Sequence, residues 1–221
     1  MFNKFKLIFT IKKIPILSWS SEQELNYKPN VLTLYYLIFG LILFGLGEAL
    51  IVTASIGVSP WFVLHQGLSF ISGYSIGITT FVVSLVVLLL WIPLSQRPGI
   101  GTIANAIIIS IVLDVTLPFL PYPENYIFQL LQVIIGILII GIGSGYYLAA
   151  NLGPGPRDGL MTGLQRKTKQ SFSIIRSGIE ISVVLVGWYL GGIVGIGTIL
   201  YALTIGPSVS LGLYIVGKIM K

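Results

Sequence analysis

From Val31 to Ala54 the chain carries a single charged side chain, Glu48, and comparable apolar runs recur near Ile76–Leu94, Ile100–Phe119, Tyr126–Ala150, Phe172–Leu190 and Gly195–Val216. A helix as long as the first run reaches about 36 Å, enough to cross a bilayer with some tilt. Only 20 of the 221 residues are charged (13 Lys+Arg and 7 Asp+Glu), 55% are hydrophobic and mean hydropathy is +0.95. So few charges cannot cover a water-soluble surface of this size, and a chain this apolar is not disordered. The expectation is an all-α, polytopic membrane helix bundle with about six transmembrane helices.

Two further apolar stretches are too short to cross. WFVLHQGLSFIS, residues 61–72, follows the break IGVSP at 56–60, and a polar-flanked segment at 157–170 follows NLGPGPRDG at 151–159. Both read as half-helices. With the N-terminus inside, this arrangement puts Lys4, Lys6, Lys12, Lys13, Lys28, Arg97, Arg157, Arg166, Lys167, Lys169, Arg176, Lys218 and Lys221 at or near one face, the cytoplasmic one. Outer loops near 55–60, 120–125 and 191–194 then hold no Lys or Arg, as the positive-inside rule requires. Residues 1–30 read as a basic cytoplasmic or interfacial arm that touches anionic lipid head groups, not as a signal peptide.

Sliding the chain by 96 residues aligns Gly40, Gly45, Gly47, Gly57, Pro60 and Gly67 with Gly136, Gly141, Gly143, Gly153, Pro156 and Gly163. The pentapeptide GIGTI at 99–103 meets GIGTI at 195–199. Chance matches in apolar sequence produce aligned Leu, Ile and Val, not aligned Gly and Pro breaks. The chain therefore reads as one membrane domain made of two repeats, 31–120 and 126–217. Each has three spans and a short helix, so the second repeat enters from the opposite side, giving inverted topology. Such duplications recur in secondary transporters, with binding sites where interrupted helices meet. Gly57 and Pro60 break the first repeat, and Gly153, Pro154, Gly155 and Pro156 break the second.

The candidate residues are the charged ones inside the apolar runs. Glu48 is a proton or cation site, a partner for an intramembrane arginine, or a carboxyl near the outer edge. Arg157 and Asp158 open the second short helix, where free N–H groups and a guanidinium suit an anion. Arg176 and Glu180 are four residues apart on one helical face and can pair. Their repeat equivalents, Thr80 and Ser84, are polar but uncharged, and those of Arg157 and Asp158 are Trp61 and Phe62. His65, Asp114 and Asn151 are secondary candidates: a packed histidine or proton relay, an acid near the outer mouth, and a partner for broken backbone. Without cysteine and with a single histidine, no metal site is expected, nor any cofactor. GLG and GIG strings lack the preceding strand of a nucleotide-binding turn, and no P-loop, HExxH or GxSxG occurs, so no catalytic residue is assigned and an enzyme is not expected.

LGPGPRDGLMTGL (152–164), Glu180, the WYLGGIVGIGT segment (188–198) and Gly206-Pro207 resemble the YczE/YyaS/YitT-type family of bacterial membrane proteins, as does IGVSPWFVLHQGLS in the first half. The resemblance covers residues 33–217 and implies a multi-pass protein of the bacterial cytoplasmic membrane. The expected function is a secondary transporter or permease for a small, anionic solute. The rival expectation is a non-transporting scaffold or regulator of another membrane or biosynthetic system. Expected partners are the lipid bilayer, the solute and a second copy of the chain as a homodimer, with no nucleic acid.

Overall fold

The computed structural model describes residues 14–220, so the arm lysines Lys4, Lys6, Lys12 and Lys13 lie outside the described residues, as does Lys221. Among the described residues there are eight α-helices and no strand. They are α1 (Val31–Ala54), α2 (Pro60–Ser72), α3 (Ile76–Leu89), α4 (Ile100–Thr116), α5 (Tyr126–Ala149), α6 (Pro156–Thr168), α7 (Phe172–Tyr189) and α8 (Ile196–Ile219). α1, α5, α7, α8 and the run Ile100–Phe119 are long and apolar enough to cross a membrane. α2 and α3 meet at a bend of 115°, and counting that pair as one broken span gives six. The run expected from Ile76 to Leu94 is a helix of only 14 residues, ending at Leu89 before a single 3-10 turn at Ile92–Leu94. Pro93 has no N–H to continue an α-helical ladder.

Small residues set the centre. A Cβ on Gly40 would lie 2.6 Å from the Gly143 carbonyl oxygen, and one on Gly47 would lie 2.6 Å from that of Gly136. Only glycine lets α1 and α5 approach this closely. The register (40 with 143, 47 with 136) makes the two helices antiparallel. α4 packs on α1 and α8 on α5, while α2 leans on α7 and α6 on α3, so each short helix touches the other half. The core runs through Leu37, Leu41, Ile51, Phe62, Leu113 and Ile140. Outward, α7 presents Ile174, Ile181, Leu185, Val186, Trp188 and Tyr189, a contiguous apolar face suited to lipid.

The 96-residue offset extends to the backbone. Among the described residues the positive-φ positions fall into four pairs: Ser55 with Asn151, Gly57 with Gly153, Gly73 with Lys169, and Ser95 with Gly191. Ser75 and Ser171 cap α3 and α7 in the same way, accepting from the N–H of Ile78 at 3.1 Å and of Ile174 at 3.3 Å. The breaks cross over: the Gly197 N–H donates to the Ile56 carbonyl at 2.8 Å, and the Gly101 N–H donates to the Leu152 carbonyl at 2.7 Å. Each repeated GIGTI thus closes on the break of the opposite half, and backbone groups that lipid could not satisfy are satisfied there.

Candidate functional site

Between the halves lies a cavity of about 390 Å³. Its walls come from equivalent positions of both repeats: Phe44 with Ile140, Trp61 with Arg157, Thr80 with Arg176, Ser84 with Glu180, Asn105 with Tyr201 and Ile109 with Ile205. A pocket lined by residues and their own repeat equivalents sits where the two halves exchange places. The charged members all come from the second repeat, and the first supplies aromatic and hydroxyl groups.

Arg157 stands at the start of α6, where Pro156 fits the first turn. Its guanidinium carbon lies 5.2 Å from the Trp61 ring centroid and 5.4 Å from that of Phe62. The cation therefore rests on the aromatic pair that replaces Arg157 and Asp158 in the first repeat, a contact worth about 1 kcal/mol. Among the described residues neither Arg157 nor Asp158 has an ion-pair partner within 4.0 Å, and the only ion pair is Arg176–Glu180 at 2.8 Å. Arg157 therefore borders the cavity unpaired among the described residues.

Glu48 is fully enclosed. The Ser59 hydroxyl lies 3.1 Å and 3.0 Å from its two oxygens, and the Tyr201 hydroxyl donates at 3.4 Å. Ser59 and Tyr201 line the cavity, so Glu48 lies one side chain behind its wall. Glu48 is thus enclosed within the bundle, and Arg157 borders the cavity beyond ion-pairing distance of it. The Arg176 Nε donates to Glu180 Oε1 as the i, i+4 spacing predicts, and both residues line the cavity.

The secondary candidates separate. His65 is buried, with Nδ1 2.9 Å from the Thr80 hydroxyl and, among the described residues, no partner for Nε2. Asp114 closes the start of α3, accepting from the Ser75 hydroxyl at 2.6 Å and the Gly77 N–H at 2.8 Å. Asn151 donates to the Ser21 carbonyl at 2.8 Å and ties the break to the segment before α1. Neither Asp114 nor Asn151 lines the cavity. Sequence reasoning missed Ser59 and Tyr201. Ser59 carried a signal, a hydroxyl immediately before the helix-opening Pro60, whereas a tyrosine in an apolar run carries none.

Helices, bend and cavity define a multi-pass helical membrane protein with a largely apolar chamber that holds four charged side chains. The chain belongs to the family of unknown function DUF6198, whose model matches residues 31–212. It is 39% identical over 211 residues to an uncharacterized protein of Haemophilus influenzae, covering 95% of each chain. It is 32% identical over 169 residues to the uncharacterized membrane protein YczE of Bacillus subtilis, covering 76% of this chain and 79% of the relative. Over 172 residues it is 27% identical to the uncharacterized protein YyaS of Bacillus subtilis. The resemblance to YczE-type proteins holds, and no solved structure matches the chain.

Proposed function

We propose that the protein is a secondary permease for a small anionic solute, held in the chamber between two halves of inverted topology. The observation that carries this reading is the placement of Arg157. It is stacked on Trp61 and Phe62, free of an ion pair among the described residues, and borders about 390 Å³ of space between the repeats. A plain structural bundle gains nothing from an unpaired guanidinium held among its helices. Antiparallel α1 and α5, with breaks that close on the opposite half, support the inverted arrangement. One half rocking against the other would then expose the chamber to each face in turn.

In this reading Arg157 binds the solute, aided by the nearby N-terminus of α6. Glu48, bonded to Ser59 of the first break and Tyr201 of α8, reports the charge state of the chamber to both halves. Arg176 and Glu180 form a switchable pair on its wall. The protein lies in the bacterial cytoplasmic membrane with its basic face and both termini inside, and assigns no chemistry to the solute. Purified protein tests the binding step. Citrate, succinate, glutamate, sulfate and inorganic phosphate are screened for a rise in unfolding midpoint, which binding to the folded state must produce. At least one should stabilise the wild type and leave Arg157→Gln unmoved at equal folded yield. A screen in which every anion acts equally on both proteins rejects the reading.

A further inference from the structure

A second cavity of about 360 Å³ adjoins the first. Glu24, Gln96, Arg97, Thr162 and Arg166 line it, and it shares Leu148 and Pro154 with the central chamber. Leu148 and Pro154 are therefore the wall common to both. Glu24, Arg97 and Arg166 are exposed, so the second cavity is charged at its rim (two arginines against one carboxylate) and lies on the basic face. Neither arginine is ion-paired among the described residues.

The opposite end of the molecule provides the contrast. Leu148, Pro154, Thr162 and Arg97 have Val52, Val58, Gln66 and Ile193 as repeat equivalents. Val52, Val58 and Gln66 are buried. The Val58 N–H donates to the Ile193 carbonyl at 3.3 Å, and the Ile193 N–H donates to Gln66 Oε1 at 2.9 Å. One backbone plan is sealed at one end and hollow at the other.

We propose that the second cavity is an anion-collecting vestibule, a binding site distinct from the central chamber, and that Leu148 and Pro154 are the gate between them. Arg97 and Arg166 recognise carboxylate, sulfonate or phosphate groups through their planar donor forks. A concave rim of one sign also raises the local concentration of small anions, an effect that added salt screens. The vestibule goes beyond the proposed permease activity, because it concerns access to the chamber and not what the chamber moves.

The chain contains no cysteine, so a single introduced thiol is unambiguous. Ser144→Cys places one on the chamber wall. Anionic sulfonatoethyl and cationic trimethylammonioethyl methanethiosulfonates are added to the basic face of oriented phosphatidylcholine vesicles. Each rate is divided by that of the same reagent with a free thiol. The normalised anionic rate should exceed the cationic one by about tenfold at low salt. Arg97→Gln with Arg166→Gln should lower the ratio several-fold, as should half-molar salt, leaving only the share that Arg157 supplies on the chamber wall. A ratio of one in the parent, a ratio the double variant leaves unchanged, or labelling only from the opposite face each overturns the vestibule. A ratio that vanishes in phosphatidylglycerol vesicles assigns the arginines to lipid phosphate and also overturns it. If Ser144→Cys fails to fold, Asn105→Cys on the same wall takes its place. Arg157→Gln in the same background reports on the central site, so the vestibule and the permease reading fail separately.

Discussion

At the first break Gly57 and Val58 are buried against the start of α8 and Gln66 holds Ile193, while at the second Gly153 and Pro154 stand half-open beside a cavity. The backbones correspond: Gly57 has φ +112° and Gly153 has φ +100°, and each faces the GIGTI segment of the other half. The side chains differ. The first short helix opens with Trp61-Phe62 and the second with Arg157-Asp158, and the aromatic pair becomes the bed for the guanidinium. Two matching backbone breaks thus carry different side chains: the first is buried, and the second stands beside a cavity with two exposed arginines.

The largest expected effect sharpens the backbone side of this comparison. A Cβ at Gly57 would fall 2.6 Å from the backbone nitrogen of Gly195, whereas one at Gly153 would meet the Thr102 hydroxyl at 2.9 Å. Gly57→Ala should therefore cost about 3 kcal/mol and Gly153→Ala about 1–2 kcal/mol, compared by thermal unfolding in one detergent. Equal losses would mean that the two breaks are equally tight. Glu48→Ala comes next, at about 2–3 kcal/mol, because the buried Ser59 hydroxyl and the partly buried Tyr201 hydroxyl lose their acceptor. Glu48→Gln keeps the acceptor and should recover most of that loss in the same unfolding assay.

Gln66→Ala removes the acceptor of the Ile193 N–H at the sealed end. One such bond is worth about 1 kcal/mol, so a thiol placed by Val58→Cys should react about fivefold faster with impermeant reagents from that side. An unchanged rate would place the seal in apolar packing alone. The smallest effect belongs to Arg176→Gln. The ion pair has side-chain exposures of 45% and 26%, so solvent screens it and its loss should lower stability by about 0.5 kcal/mol. A drop several times larger would make the pair a structural clamp of the second repeat.

Much of this contrast was legible before any coordinates. The breaks, both short helices within a residue or two of their ends and the Arg176–Glu180 pair followed from Gly/Pro punctuation and from the cost of charge in lipid. The short α3 was not, because apolar residues continue past Leu89 and hydropathy cannot see where a helix turns. That Asp114 caps α3 was not legible either, since its partners Ser75 and Gly77 lie far back in the sequence. Ser59 carried only a local signal before Pro60 and Tyr201 none, because their role exists only where elements from different repeats converge on Glu48.

By itself the sequence determined the solvent, the helices and the 96-residue repeat of glycine and proline, because lipid favours helices that bond their own backbone and leaves glycine, proline and charge as the visible punctuation. Tertiary structure alone decided that Arg157 lies on Trp61, its repeat equivalent, and on Phe62, that Glu48 sits behind the chamber wall, and that one end is closed while the other is hollow. Those facts depend on side-chain contacts between the first and second halves of the chain, and no local pattern of residues encodes such contacts.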